Sequence, residues 1–161
     1  MLKIITAAAI LTVASFGVVA RADAQNAAPF KKENFNYSEW TKGKFSEVVT
    51  VTNPGKTIFV SGTGAEREGD GKIIHEGSFM EQCRYAYSKI NKILQAQGAT
   101  MNDVVRIVTY TTDVRNFQEA LKCRAEAFGS APIPASTFLV VSALAWPNMA
   151  IEIDVTAMLA N

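Results

Sequence analysis

Pro134-Ala135-Ser136-Thr137-Phe138-Leu139-Val140-Val141, with Leu144 close behind and Ile151-Glu152-Ile153-Asp154 after it, decides the fold. Thr137, Leu139, Val141 and Ala143 alternate with Phe138, Val140 and Ser142, so a strand over 135–143 is largely apolar on both faces. A second strand over 149–159 follows Trp146-Pro147-Asn148, and the two read as a closing hairpin. Upstream, Phe45 to Thr52 and Lys56 to Gly62 read as an opening hairpin around Asn53-Pro54-Gly55, where proline presets φ and glycine accepts a positive φ. Thr63 to Gly77 is a glycine-rich surface loop. Its glycines lack the strand-to-helix setting that phosphate cradling needs.

Ser78 and Glu81 have capping-box spacing, and Cys83, Ala86, Tyr87, Ile90, Ile93, Leu94 and Gln97 recur at helical intervals before Gly98. Tyr85 and Lys89 fall off that apolar face. A strand over 103–112 precedes a second helix that starts at about Val114 or Asn116, ends at Phe128 and turns Phe117, Ala120, Leu121 and Phe128 inward. The order β-β-α-β-α-β-β defines an α+β fold. Right-handed crossovers put both helices on one face of a mixed sheet, and the other face is expected to expose an apolar patch that a second copy covers.

The chain has 161 residues, 48% of them apolar, which suits one globular core. Lys3, the apolar run Ile4 to Val19, and Ala22-Asp23-Ala24 form a signal peptide over 1–24, because about 16 apolar residues fall short of the roughly 20 that span a bilayer. Cleavage implies a secreted or periplasmic protein with no stable membrane anchor. It also leaves acidic and basic side chains equal in number, which argues against nucleic acid as a partner. Residues 25–44 read as a polar leader arm with Lys31-Lys32 and Lys42 to Lys44 as solvated charge, and 45–161 as the folded domain. Cys83 and Cys123, the only cysteines, could close a disulfide in an oxidising compartment or sit as two small buried side chains. One histidine, His75, in a loop supports neither a zinc site nor a catalytic triad.

Phe45-Ser46 with Val48-Val49, Ile58-Phe59-Val60-Ser61-Gly62, the helix carrying Glu81-Gln82-Cys83-Arg84, Asp103-Val104-Val105-Arg106 running to Thr112-Asp113, Phe117, Phe128 and the Pro134-Ala135 strand together resemble the RidA/YjgF family of imine and enamine deaminases. The resemblance covers 45–158. It implies a chorismate-mutase-like fold, a homotrimer, clefts for a small-molecule ligand at the subunit interfaces, and no cofactor or metal.

In active members an arginine after the Pro-Ala pair grips the substrate carboxylate, and here Ser136 stands there. A hydroxyl in place of a bidentate guanidinium weakens the anchor by about 1.5 to 3 kcal/mol, roughly 10- to 150-fold. Phe138, Leu121 and Phe45 replace further polar positions of the family cleft, so it becomes more apolar. Ser61-Gly62 match backbone that lines the cleft. Glu152 matches the acid that orients water, although its own context reads first as the polar face of a strand whose Ile151 and Ile153 turn inward. Arg84, Arg106 and Arg124 could replace the clamp, although each reads first as a solvent or interface charge. Two functions follow from the resemblance: a deaminase-type hydrolase of altered specificity, or a non-catalytic homotrimer that binds a small apolar ligand.

Overall fold

The computed structural model describes residues 28–161. Residues 1–24, read from the sequence as a signal peptide, lie outside them. Among the described residues, six strands and two α-helices follow in the order β1 (Lys31–Phe35), β2 (Val48–Thr52), β3 (Lys56–Thr63), α1 (Phe79–Ala96), β4 (Val104–Thr111), α2 (Phe117–Phe128), β5 (Ala135–Val140) and β6 (Ile151–Leu159). The main sheet has the order β3-β6-β4-β5, with β4 and β5 parallel and β6 antiparallel to both its neighbours. Each helix therefore links parallel strands, and both pack on the same side. The α+β reading of two helices on a mixed sheet holds.

Neither hairpin forms. β4 lies between β5 and β6, so the closing strands never touch along their length. At the opening, β2 pairs with β1, whereas β3 pairs with β6. Ser46 bridges Ala135 on the β5 edge, and β3 occupies the opposite edge, so the chain between them must cross the end of the sheet and cannot ladder along β3. The leader is accordingly part of the fold. Lys32 is half-buried and donates from Nζ to Asn102 O and, at 2.7 Å, to Val104 O at the foot of β4. Gly55 is required by space, since a Cβ there would stand 2.4 Å from the Asn161 backbone nitrogen, and it is Asn53 that takes the positive φ, +50°.

The core joins Ile90, Leu94, Tyr87 and Phe128 from the helices to Ile107, Ile151, Ile153 and Val155 from the sheet. Ser78 Oγ accepts from Glu81 N at 3.4 Å, but the Glu81 carboxylate turns to Arg84, so half of the capping box is made. Gly98, at φ +77°, ends the helix as its sequence suggests. Lys89 is buried, because it spans to the loop after β3 and pairs with Glu66 at 2.8 Å. Gln82, fully buried, donates to Asn148 O and accepts from Ala150 N, both at 2.8 Å, which fixes the loop entering β6. Cys83 and Cys123 form a disulfide that joins α1 to α2.

Strand register decides which side chains share a face. Ile107, Thr109 and Thr111 stand opposite Val155, Ile153 and Ile151 on one side and Ser136, Phe138 and Val140 on the other, all toward the helices. Val108 and Tyr110 stand opposite Asp154 and Glu152, and opposite Thr137 and Leu139, on the open face. That face is mixed, not simply apolar as expected: Phe59 (80% exposed) and Leu139 (43%) lie among Arg106, Glu152 and Asp154.

Candidate functional site

One cluster of candidate residues lies on the open face where β3 ends beside β6. Glu152 is half-buried on β6, and Gly62 faces it so closely that a Cβ there would fall 1.8 Å from Glu152 Oε1. The fold thus reserves the space over Gly62 for this carboxylate. Ser61, immediately before it, is exposed. Beside Glu152 runs a cavity of about 270 Å³ lined by Tyr110, Leu144, Glu152 and Asp154, with Val141, Ala143 and Ala145 on its wall. Tyr110 Oη donates to Asp154 Oδ2 at 3.2 Å, and the Asp154 charge raises the phenol's pKa.

Burial, then the neighbouring charges of Glu66 and Asp154, hold the Glu152 carboxyl above its ordinary pKa. Glu66 is itself kept ionised. Its carboxylate accepts from Gly64 N at 2.9 Å and Lys89 Nζ at 2.8 Å, and these contacts keep its pKa low despite burial. A carboxyl so placed can take a proton from water and return it to a leaving group, which a solvated strand glutamate does poorly.

A second cluster lies on the helix face, between α2 and the β5 edge. Phe138 packs edge-on against Phe117 with ring centres 5.1 Å apart, and Leu121 is half-buried one turn along α2. Phe45 meets Trp40 edge-on at 6.0 Å and lines a cavity of about 390 Å³ with Asn34, Ser46, Ala125 and Ile133. Ser136 does not face an empty cleft. Its Oγ accepts from Arg124 Nη1 at 2.5 Å, while Arg124 Nη2 donates to Lys44 O at 2.6 Å. Arg124 is only 7% exposed, and burial pushes its pKa down.

One copy of the chain therefore does not gather the candidate residues. Glu152, Ser61 and Gly62 stand at the end of the sheet's open side, whereas Ser136, Phe138, Leu121 and Phe45 lie across it. Arg84 keeps to the surface in a pair with Glu81 and Glu126, and Arg106 is exposed, as read from the sequence. Arg124 departs from that reading, because its position on α2 aims it inward beneath β5. Tyr110 reads from the sequence only as a strand residue on the face of Val108, and β4 sets it opposite Glu152. His75 sits exposed in the loop. Among the described residues no cluster of three or more His, Cys, Asp and Glu side chains is arranged to hold a metal ion.

Two helices on one face of this mixed sheet, with an acidic cavity at the strand ends, define an α+β protein of the Rid type. Residues 38–159 match the family described as Endoribonuclease L-PSP, and the chain belongs to this RidA/YjgF family. It is similar to the RutC family protein YjgH of Escherichia coli K12, at 32% identity over 100 residues, which cover 62% of this chain and 74% of YjgH. A Rid family protein of Yersinia pestis, YyfB, has a solved structure that matches with a TM-score of 0.70 at 27% identity, over 82% of this chain and 100% of that one. A 2-iminobutanoate/2-iminopropanoate deaminase of Dermatophagoides farinae is 26% identical over 114 residues, 70% of this chain and 83% of its own length.

Proposed function

We propose that this protein is a deaminase-type hydrolase of small imines, with Glu152 as its acid–base group and a specificity changed from that of the family's active members. The observation that carries this reading is the half-buried Glu152, held above its ordinary pKa beside an open cavity and against Gly62. Ionised Glu152 takes a proton from a water molecule as that water attacks the imine carbon. The same proton then passes to the nitrogen to give a carbinolamine, Glu152 carries the carbinolamine hydroxyl proton to the amine nitrogen, and the C–N bond breaks to release ammonia and leave a carbonyl product. The deaminase among the relatives supports this chemistry.

The site is completed in a homotrimer. Phe59 and Leu139 on the open face supply apolar area for packing between copies, and assembly brings the Glu152 cluster of one copy toward the Ser136 and Phe138 edge of its neighbour. Sedimentation at micromolar concentration tests this arrangement, and a monomer would contradict it. The disulfide favours an oxidising compartment, in keeping with secretion or a periplasmic location.

A second reading rests on Phe45, which lines the cavity of about 390 Å³, and on the Phe117–Phe138 pair at the β5 edge, which suit a trimer that binds a small apolar ligand without chemistry. Ammonia release from freshly generated 2-imino acids separates the two. Release faster than in buffer supports the hydrolase, and release at the buffer rate leaves the binding protein.

A further inference from the structure

A cavity of about 310 Å³ opens between α1 and α2, in the helix layer and apart from both clusters described above: neither Glu152 nor any of Phe45, Ser136 and Phe138 lines it. Tyr87, Met101 and Cys123 form its buried wall, Ala127 is half-buried beside them, and Arg84 and Glu126 stand exposed at the surface. The Cys83–Cys123 bridge ties the two helices together at this wall, so the cavity is shaped before any ligand arrives.

Tyr87 is the residue that its own packing does not explain. The side chain is only 5% exposed and meets Phe128 edge-on, and a phenylalanine would fill the same space. Buried tyrosine hydroxyls normally find a partner, yet this one makes no hydrogen bond among the described residues. Arg124 Nε is the one side-chain atom among them that is both sealed from solvent and unpartnered, so the Tyr87 hydroxyl keeps access to the cavity that its side chain lines. Burial raises the phenol's pKa far above its ordinary value, and the group therefore stays a neutral donor. One turn along α1, the half-buried Asn91 amide lines the same cavity.

We propose that this cavity is a ligand site separate from the Glu152 cluster, and that it takes a small, neutral aromatic molecule whose carbonyl or hydroxyl oxygen accepts from Tyr87. The aromatic ring follows from the wall, since the sulfurs of Met101 and Cys123 are polarizable surfaces that favour ring contacts. Neutrality follows from the rim. Arg84 donates from Nε and Nη2 to Glu126 and from Nη1 to Glu81, so its charge is already matched and a ligand meets no free cation there. The volume lies at the small end of the range for such sites. Nothing in this assignment depends on imine hydrolysis.

Titration of the mature protein with acetophenone, a neutral aromatic ketone, followed by 15N–1H chemical shifts at the Asn91 and Ala127 amides, tests it. Wild type should show saturable shifts. Tyr87→Phe should weaken binding roughly 3- to 10-fold, the worth of one neutral hydrogen bond, while leaving the Tm unchanged or higher because the hydroxyl has no partner to lose. Ala127→Leu places a larger side chain in the cavity and should cost roughly tenfold or more in affinity. Glu152→Gln should bind as wild type does. No saturable binding by wild type, wild-type affinity in Tyr87→Phe or in folded Ala127→Leu, or a clear fall in Tm on Tyr87→Phe would each overturn the proposal. Loss of binding in Glu152→Gln would move the probe to the other site and overturn it as well.

Discussion

Reduction of the Cys83–Cys123 bridge should cost this protein about as much stability as a buried side-chain truncation, and the size follows from the loop it closes. The two cysteines are 40 residues apart, so the chain-entropy relation gives a loss of about 13 cal/mol/K, or about 4 kcal/mol at 25 °C. With an unfolding entropy of about 2.1 cal/mol/K per residue over the roughly 130 described residues, that loss lowers the Tm by about 14 °C. Both cysteines are fully buried between the helices, so native packing is retained when the bond opens and the effect falls mainly on the unfolded chain. Scanning calorimetry of oxidised and reduced protein at one concentration reads the difference directly. A shift below about 3 °C would refute the reasoning, as would two thiols open to alkylation in protein recovered from an oxidising compartment.

Other outcomes follow from the site. Because burial and the charges of Glu66 and Asp154 raise the folded pKa of Glu152, its ionised form accumulates at higher pH than that of an ordinary glutamate. Activity that needs the base is then lost as pH falls through that raised value, and Glu66→Gln should move this acid limb of the pH–rate profile to lower pH by removing a neighbouring negative charge. An unmoved limb in a folded variant would exclude Glu66 as the cause. Gly62→Ala should change stability by only about 1 kcal/mol, since the atom it meets ends a flexible side chain, yet cut turnover sharply by displacing Glu152; thermal melts and initial rates together check it. Gln82→Leu should destabilise by about 2 to 4 kcal/mol in urea titrations, because Asn148 O and Ala150 N lose a buried partner.

Strand and helix identities were legible in the sequence because local patterns generate them. Alternation in 135–140 and 151–159, helical spacing from Cys83 to Leu94, and Gly98 at positive φ all report on the chain's own period. Pairing was less legible. Asn53-Pro54-Gly55 looks like a hairpin turn, but whether β2 turns back on β3 depends on Ser46 docking at Ala135 far along the chain. Lys31 to Phe35 carries no alternation of its own and becomes a strand by pairing with β2. Lys89 and Arg124 illustrate the same limit at the site. Each looks like a surface cation by composition, and each is buried because a partner contributed by another element, Glu66 or Ser136, awaits it. The Glu152 alternatives, strand surface or catalyst, are brought closer together by Gly62, Glu66 and Asp154, which converge on it only in three dimensions.

The central claim is that Glu152 moves the proton in imine hydrolysis, and the most direct test is ammonia release from a freshly generated 2-imino acid by wild type and Glu152→Gln. Loss of a positioned general acid–base group should lower the enzymatic rate by roughly 10²- to 10⁴-fold, with the Tm little changed. A folded Glu152→Gln protein that releases ammonia within twofold of wild type would contradict the account.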